Sequence, residues 1–112
     1  MISSDAMRGY NDALILAILQ QGESYGYKIG KEIRERTDGQ YLIRETTLYA
    51  VFNRLSKNGY IDDYPGDVTN GKPRTYYRIT PSGRNFLAVK AAEWERVKTV
   101  VDPFLKQPLT NL

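Results

Sequence analysis

Residues 45–64 have the sequence ETTLYAVFNRLSKNGYIDDY, which contains a helix, its end and the start of a strand. Leu48, Phe52 and Leu55 recur at three- and four-residue steps, so they predict the buried side of a helix. The Asn58-Gly59 pair is typical of a left-handed helix end. The opposite side is mostly polar and carries no acid after the first residue, which suits contact with an anionic partner. Its residues are Thr46, Thr47, Tyr49, Ala50, Asn53, Arg54 and Lys57.

Two more helices are predicted upstream of this stretch. The first begins at Asn11 or Asp12, whose side chains can accept hydrogen bonds from the free amides of a first turn. The second is capped by Ser24 and carries apolar residues at four-residue steps. Gly26 and Gly30 weaken that second helix, so we expect them to permit the close approach of another backbone.

A hairpin is predicted downstream. Its strands cover residues 61–64 and 74–80, and the turn-rich segment 65–73 joins them as a long polar tip. The net charge of +3 is concentrated here, since residues 70–84 contain no acid. Such a basic tip either attracts phosphate groups or is simply solvated, and its lack of nearby acids favours phosphate. The basic residues of the section 70–84 are Lys72 in the tip, Arg74 and Arg78 in the second strand, and Arg84 beyond it.

A last helix begins with Thr80 as its cap and Pro81 at its first position, and Pro103 either kinks or ends it. This helix has two apolar stripes, of which its own domain can cover one. We expect a second copy of the chain to cover the other apolar stripe. One stripe contains Leu87, Trp94, Val97, Val101 and Phe104, and the other contains Phe86, Val89, Val97 and Val100.

The composition excludes several classes of enzyme. The 112 residues include no histidine and no cysteine, so catalysis by imidazole or thiolate and zinc-thiolate or iron–sulfur sites are excluded. A hydrolase that used the adjacent acids Asp62-Asp63 as a carboxylate pair is not expected, because these residues are predicted on a strand edge, where there is no concave site for a substrate. The longest apolar run, residues 13–19, is too short to span a membrane, and no export signal is visible. We therefore expect a non-enzymatic cytoplasmic protein without cofactor or metal.

The order of these elements is that of a winged helix-turn-helix, a mainly α (α+β) fold with three helices, a two-stranded wing and a long C-terminal helix. We expect a DNA-binding domain over residues 1–80 and a dimerisation helix and tail over 81–112. In such a domain, side chains of the third helix reach base edges while the wing meets phosphates. A dimer that kept the fold as a ligand-binding or protein-interaction module without reading DNA is the alternative.

Short motifs in a fixed order extend from about residue 14 to residue 94. They are YGYKI at 25–29, KEI at 31–33, TLY at 47–49, NRL at 53–55, NGYI at 58–61, GKPRTYY at 71–77, IT at 79–80 and Gly83. Together they resemble the PadR family of bacterial transcriptional regulators, and the single long C-terminal helix is similar to the short subfamily. The chain departs from the commoner family pattern at Phe52, where Leu is usual, and at Gly30, where Ser or Ala is usual.

The resemblance implies a homodimer that binds an inverted-repeat operator as a repressor and is released by a small molecule. Family effectors include phenolic acids and planar, often cationic drugs. In some short members a tryptophan lines an apolar pocket at the dimer centre, and Trp94 matches its position; ligand stacking and simple packing of the dimer core both remain open for it. The predicted dimer-centre residues are Leu87, Ala91, Trp94, Val97 and Val101.

The predicted DNA contacts come from three elements: the start of the second helix, the polar face of the third helix and the wing. Tyr76 has two interpretations, because its hydroxyl can donate to a phosphate or its ring can pack within the wing. The full set is Tyr25, Lys28, Thr46, Thr47, Tyr49, Asn53, Arg54, Lys57, Lys72, Arg74 and Tyr76.

Overall fold

The computed structural model of the chain describes residues 1–69 and 71–106. Asn70 in the wing and the tail 107–112 of the predicted dimerisation region lie outside the described residues. Within them the chain forms helices and one antiparallel sheet. The elements are α1 (Ser4–Met7), α2 (Asn11–Gln20), β1 (Ser24–Tyr25), α3 (Gly26–Arg36), α4 (Glu45–Lys57), β2 (Ile61–Thr69), β3 (Lys72–Ile79) and α5 (Pro81–Leu105).

The core lies between α2, α3, α4 and the inner face of the sheet. Phe52 of α4 is its largest fully buried side chain, and its ring stacks on Tyr77 of β3 with centroids 4.0 Å apart. Leu48 and Leu55 are buried beside it, which confirms the stripe predicted for this helix. The winged helix-turn-helix fold predicted from the order of elements is therefore confirmed.

The sheet has a third strand that the sequence does not predict. Its order is β1-β3-β2, and Ser24 and Tyr25 of β1 pair with Tyr77 and Tyr76 of β3. The prediction that Ser24 caps α3 is wrong, because Tyr25 occupies the cap position without a side-chain bond. The Ser24 hydroxyl is instead buried without a hydrogen-bond partner among the described residues.

The wing strands are longer than predicted. β2 and β3 pair from Ile61 opposite Ile79 out to Thr69 opposite Lys72. Much of the predicted polar tip is therefore strand, with a register shift between Pro65 and Val68 that accommodates the turn residues. The wing is consequently a long paired ribbon.

The start of α2 also differs from the prediction. Neither Asn11 nor Asp12 caps the helix, because the cap position belongs to Tyr10 and no side chain bonds there. Asn11 is buried and accepts a hydrogen bond of 2.6 Å from the Tyr41 hydroxyl, which ties α2 to the segment before α4. Burial raises the pKa of Tyr41.

The two glycines of α3 do not lie against another backbone, so that prediction is wrong. At Gly26 the close neighbour is the Tyr49 side chain, whose hydroxyl would lie 2.7 Å from an added Cβ. At Gly30 a Cβ would meet only Leu48 Cδ2, at an ordinary 3.9 Å. Gly26 therefore leaves space for the Tyr49 side chain of α4, whereas the space beside Gly30 would accommodate a Cβ atom.

A tight joint connects the end of α4 to the start of α5. The Thr80 hydroxyl caps α5 by accepting from the Gly83 amide at 3.0 Å, and it donates to the Gly59 carbonyl at 2.7 Å. Gly59 itself has a φ of +76°, which confirms the left-handed end predicted for α4. The Tyr60 ring stacks on Phe86 with centroids 4.3 Å apart. We call these residues, with Gly83 against the Tyr60 carbonyl, the α4–α5 joint.

The long helix α5 continues past Pro103 to Leu105, so of the two alternatives left open for Pro103, the structure rules out an end of the helix at that residue. Phe86 and Leu87, near its start, pack against the core of their own domain. Within the described residues, no helix combines the length and apolar character needed to cross a bilayer.

Candidate nucleic-acid interface

The outer face of α4 presents the polar residues predicted from the sequence. Thr46, Asn53 and Lys57 are exposed, and Thr47 is half-buried at the first turn. Tyr49 is 44% exposed, but its ring meets Phe52 edge-on at 5.5 Å and its hydroxyl lies close to Gly26. The face therefore offers hydroxyl, amide and ammonium groups, with Tyr49 braced against α3.

A groove of about 590 Å³ runs between α3, the start of α4 and the wing. Lys31, Arg34 and Arg74 line it with positive charge, and Glu45 is the acid among its lining residues. Neither Lys31 nor Arg34 is among the contacts predicted from the sequence, because only the fold brings α3 beside the wing. We call this cleft the wing–helix groove. Its aromatic and apolar lining includes Tyr25, Tyr27, Leu42, Ile43, Leu48, Tyr49 and Pro73.

Arg54 on α4 is held by an acid that the sequence does not connect to it. Its guanidinium binds both carboxylate oxygens of Asp12 on α2, with Nε donating to Oδ2 at 3.3 Å. The hydrogen bond to Asp12 raises the pKa of Arg54, which remains a fixed positive charge. The pair lies 42 residues apart along the chain, so no local pattern could reveal it.

A second, smaller depression of about 360 Å³ lies between the N-terminal segment and α4. Arg8 lines it together with Thr46 and Thr47, although Arg8 also pairs with Asp5 at 2.8 Å on the exposed surface. Sequence reasoning does not connect this arginine to the predicted interface.

The wing carries its predicted cations in different environments. Lys72 is exposed near the tip, and the Arg74 guanidinium lies over the Tyr25 ring at 4.5 Å from its centroid. Arg78 lies over the Tyr64 ring at 4.9 Å. A hydrogen bond to Glu23 raises the pKa of Tyr64 to about 12. Tyr76 is half-buried between the rings of its neighbours, while Lys28 on α3 is exposed.

The predicted dimer-centre residues divide along α5. Leu87 packs on its own domain, whereas Ala91, Trp94 and Val101 are exposed and Val97 is half-buried. Trp94 is 46% exposed and meets Tyr10 edge-on at 5.4 Å. An open groove of about 610 Å³ follows the same helix, and it is lined by Val89, Ala92, Glu93, Arg96, Val97, Val100 and Val101.

The arrangement of α4, wing and α5 has counterparts in proteins that are already known. Residues 15–89 match the family described as Transcriptional regulator PadR-like family. This chain belongs to the PadR-like family. The matched region begins in α2 and ends in α5, so it includes all of α3, α4 and the wing of this PadR-like transcriptional regulator.

Individual relatives match most of the chain, and one of them is named as a PadR family protein. An uncharacterized protein of Lysinibacillus sphaericus is 44% identical over 106 residues, which cover 95% of this chain and 97% of that one. The structure of a transcriptional regulator from Clostridium thermocellum is 53% identical, has a TM-score of 0.86, and covers 91% of this chain and 99% of that chain. A PadR family transcription regulator from Clostridium difficile is 37% identical with a TM-score of 0.75, over 87% and 99% of the two chains.

Proposed function

We propose that this PadR-like regulator is a homodimeric repressor that binds an inverted-repeat DNA operator and is released by a small-molecule effector. One observation carries the DNA-binding part: the start of α4, through Glu45 and Tyr49, and the basic wing, through Arg74, line the same groove, and the polar outer face of α4 continues from that edge. Residues 1–80 form the DNA-binding part and residues 81–112 the dimerisation part in this proposal.

The outer face of α4 and the wing suit the two kinds of contact that a duplex offers. Thr47 and Asn53 on α4 carry short hydrogen-bonding groups that can distinguish base edges in a major groove. Lys72 and Arg74 form no ion pair with any acid in the described part of the chain, so their charge is free to meet phosphates. Specificity therefore comes from α4 and much of the affinity from the wing.

The apolar groove on α5 supports the second copy. Val89 and Val100 are 62% and 65% exposed, and they lie eleven residues, or about three turns, apart on the same side of α5. Such exposure is unusual for branched apolar side chains on a small protein. Glu93 and Arg96 border the same groove with opposite charges. Burying this face against its own copy would remove the apolar surface from water and bring two α4 helices into one molecule.

A mobility-shift assay tests the proposal. The probe is duplex DNA from the region upstream of the protein's own gene, and a scrambled duplex of equal length is the control. We expect a sequence-selective shift that weakens steeply with added salt. A protein that is dimeric by light scattering but shifts neither duplex would instead support a ligand-binding or interaction module.

Substitutions should separate the wing from α4. Lys72→Ala and Arg74→Ala should weaken binding to the promoter duplex and the scrambled duplex alike, and each should lower the slope of log affinity against log salt by about one. Asn53→Ala and Thr47→Ala should mainly reduce the preference for the promoter duplex, by about tenfold or more. Fluorescence anisotropy titrations at several salt concentrations measure both quantities. Equal losses on both duplexes from all four variants would contradict the division.

Trp94 provides a test of the effector. Its exposed ring is the lone indole of the chain, so its emission reports on the centre of the proposed dimer. We expect planar cationic or phenolic compounds that bind there to quench or shift this emission and to dissociate the DNA complex. A Trp94→Leu variant, monitored by DNA release alone, should lose the response to the same compounds. Compounds that release DNA without changing Trp94 emission would place the effector site elsewhere.

A further inference from the structure

Three tyrosines lie side by side across the outer face of the sheet. Tyr25 of β1 and Tyr64 of β2 both pair with Tyr76 of β3, and their ring centroids lie 5.3 Å and 5.8 Å from the Tyr76 ring. Tyr77, the next residue on β3, points to the opposite face and stacks on Phe52 in the core. We call Tyr25, Tyr76 and Tyr64 the tyrosine row.

An arginine covers each end of the tyrosine row. Arg74 and Arg78 lie two residues before and after Tyr76 on β3, so both project from the same face. Arg74 lies over the Tyr25 ring and Arg78 over the Tyr64 ring, at 4.5 Å and 4.9 Å from the centroids. Each contact has the geometry of a cation–π interaction.

The middle of the tyrosine row is covered as well. Gly66 of β2 packs so closely on Tyr76 that an added Cβ would overlap the ring and lie only 3.0 Å from its Cγ. With Gly66 over the centre and an arginine at either end, the row offers no free ring face comparable to the platforms on which bases stack. The tyrosine row is instead suited to hold the side chains of Arg74 and Arg78 in fixed positions.

The two arginines differ in their partners. Arg78 lies 3.9 Å from the Asp62 carboxylate, so its charge is matched within the sheet. Arg74 has no acidic partner among the described residues, and its Nε is buried without a hydrogen-bond acceptor. A buried donor without an acceptor is costly, and Arg74 lines the wing–helix groove. Because Arg74 is only half-buried as a residue and lines this groove, an anion that enters the groove can still meet its guanidinium charge.

We propose that the tyrosine row holds the Arg74 guanidinium at the wing–helix groove to bind one phosphate of duplex DNA, with Tyr76 and Tyr64 as positioning residues that do not touch the DNA. This inference rests on the proposed DNA-binding function and adds how the wing achieves its contact. Of the two roles considered for Tyr76, the geometry assigns the ring and not the hydroxyl. Stacking on Tyr25 removes the freedom of a long side chain before the phosphate arrives, so less entropy is lost on binding.

A pair of substitutions at Tyr76 separates the ring from the hydroxyl. Tyr76→Phe keeps the ring and should bind the upstream duplex within about twofold of the unaltered protein, whereas Tyr76→Leu should bind about tenfold more weakly. The salt dependence for Tyr76→Leu should fall by up to about one in slope, as it does for Arg74→Ala. Anisotropy titrations over a salt series measure both quantities. Equal losses in Tyr76→Phe and Tyr76→Leu would overturn the assignment to the ring.

A double-mutant cycle with Arg74 distinguishes positioning from general support of the sheet. If Tyr76 acts through Arg74, Tyr76→Leu should cost almost nothing further in an Arg74→Ala background. Additive losses would overturn the proposal.

The Arg74→Lys variant gives an independent test if Tyr76→Leu fails to fold. Lysine keeps the positive charge but lacks the Nε–H group and the planar guanidinium, so this variant should lose most of the DNA affinity that Arg74→Ala loses. If Arg74→Lys binds DNA as tightly as the unaltered protein, the proposal is overturned. If the unaltered protein itself binds no duplex, the proposed DNA-binding function is overturned instead.

Discussion

Replacing Gly83 with alanine should lower the free energy of unfolding by about 3 kcal/mol, a large effect for the addition of one methyl group. The added Cβ would overlap the backbone carbonyl oxygen of Tyr60 and lie 2.7 Å from Ile79 Cγ1. A backbone carbonyl cannot rotate away as a flexible side chain can. The start of α5 would have to move off the end of α4, with loss of the Thr80 cap and of the stacking between Tyr60 and Phe86.

Gly30→Ala is the matched control for this prediction. It also adds a methyl group to a helical glycine, but the nearest atom would be Leu48 Cδ2 at 3.9 Å. Because alanine is the better helix former, this variant should be up to about 1 kcal/mol more stable. Urea denaturation followed by circular dichroism, at one fixed protein concentration, compares the two variants. A Gly83→Ala variant as stable as the unaltered chain would show that the α4–α5 joint can yield.

Replacing Val100 with glutamate should convert the proposed dimer to monomer and raise its dissociation constant by at least about 100-fold. Val100 is 65% exposed in the single chain and lies in the apolar groove of α5. A carboxylate at this position would lose its water on association, and a two-fold axis would place two of them in the same interface. Burying unpaired charges of like sign costs several kcal/mol, and each 1.4 kcal/mol is a factor of ten in affinity.

Ala88→Glu controls for the added charge. Ala88 is also exposed on α5, but twelve residues separate it from Val100, which places it about a third of a turn away and outside the residues that line the groove. Light scattering across a dilution series should give the dimer mass for Ala88→Glu and the monomer mass for Val100→Glu. The monomeric variant should also lose most of its affinity for an inverted-repeat duplex. A Val100→Glu protein that stays dimeric would place the interface on another surface.

Much of the helical framework could be predicted from the sequence because its signals are local. Leu48, Phe52 and Leu55 follow the helical period, Gly59 provides the left-handed end, and Thr80 caps the next helix. β1 has no such signal. Its two residues become a strand only because β3 lies beside them, and β3 is about fifty residues further along the chain.

The candidate site shows the same division. The exposed face of α4 follows from periodicity alone, so Thr46, Asn53 and Lys57 could be predicted individually. The bond between Asp12 and Arg54 and the alignment of Tyr76 with its neighbours depend on how separate elements pack and pair. Strand register in particular could not be read from a hairpin tip in which the structure shifts register between Pro65 and Val68.

The α4–α5 joint fixes the start of α5 against the end of α4, so a rotation of α5 also moves α4. α5 contains 25 residues and is therefore about 37 Å long, and the joint leaves no slack where it meets the end of α4. Suppose that the α5 helices of two copies cross near their C-terminal ends and that each α5 rotates about that crossing by about ten degrees. The α4 helix at the other end of each α5 would then move by roughly 6 Å. That distance approaches two base-pair steps of about 3.4 Å. In the proposed dimer, a small change of crossing angle would thus be enough to move the two α4 helices out of step with successive turns of the proposed DNA operator.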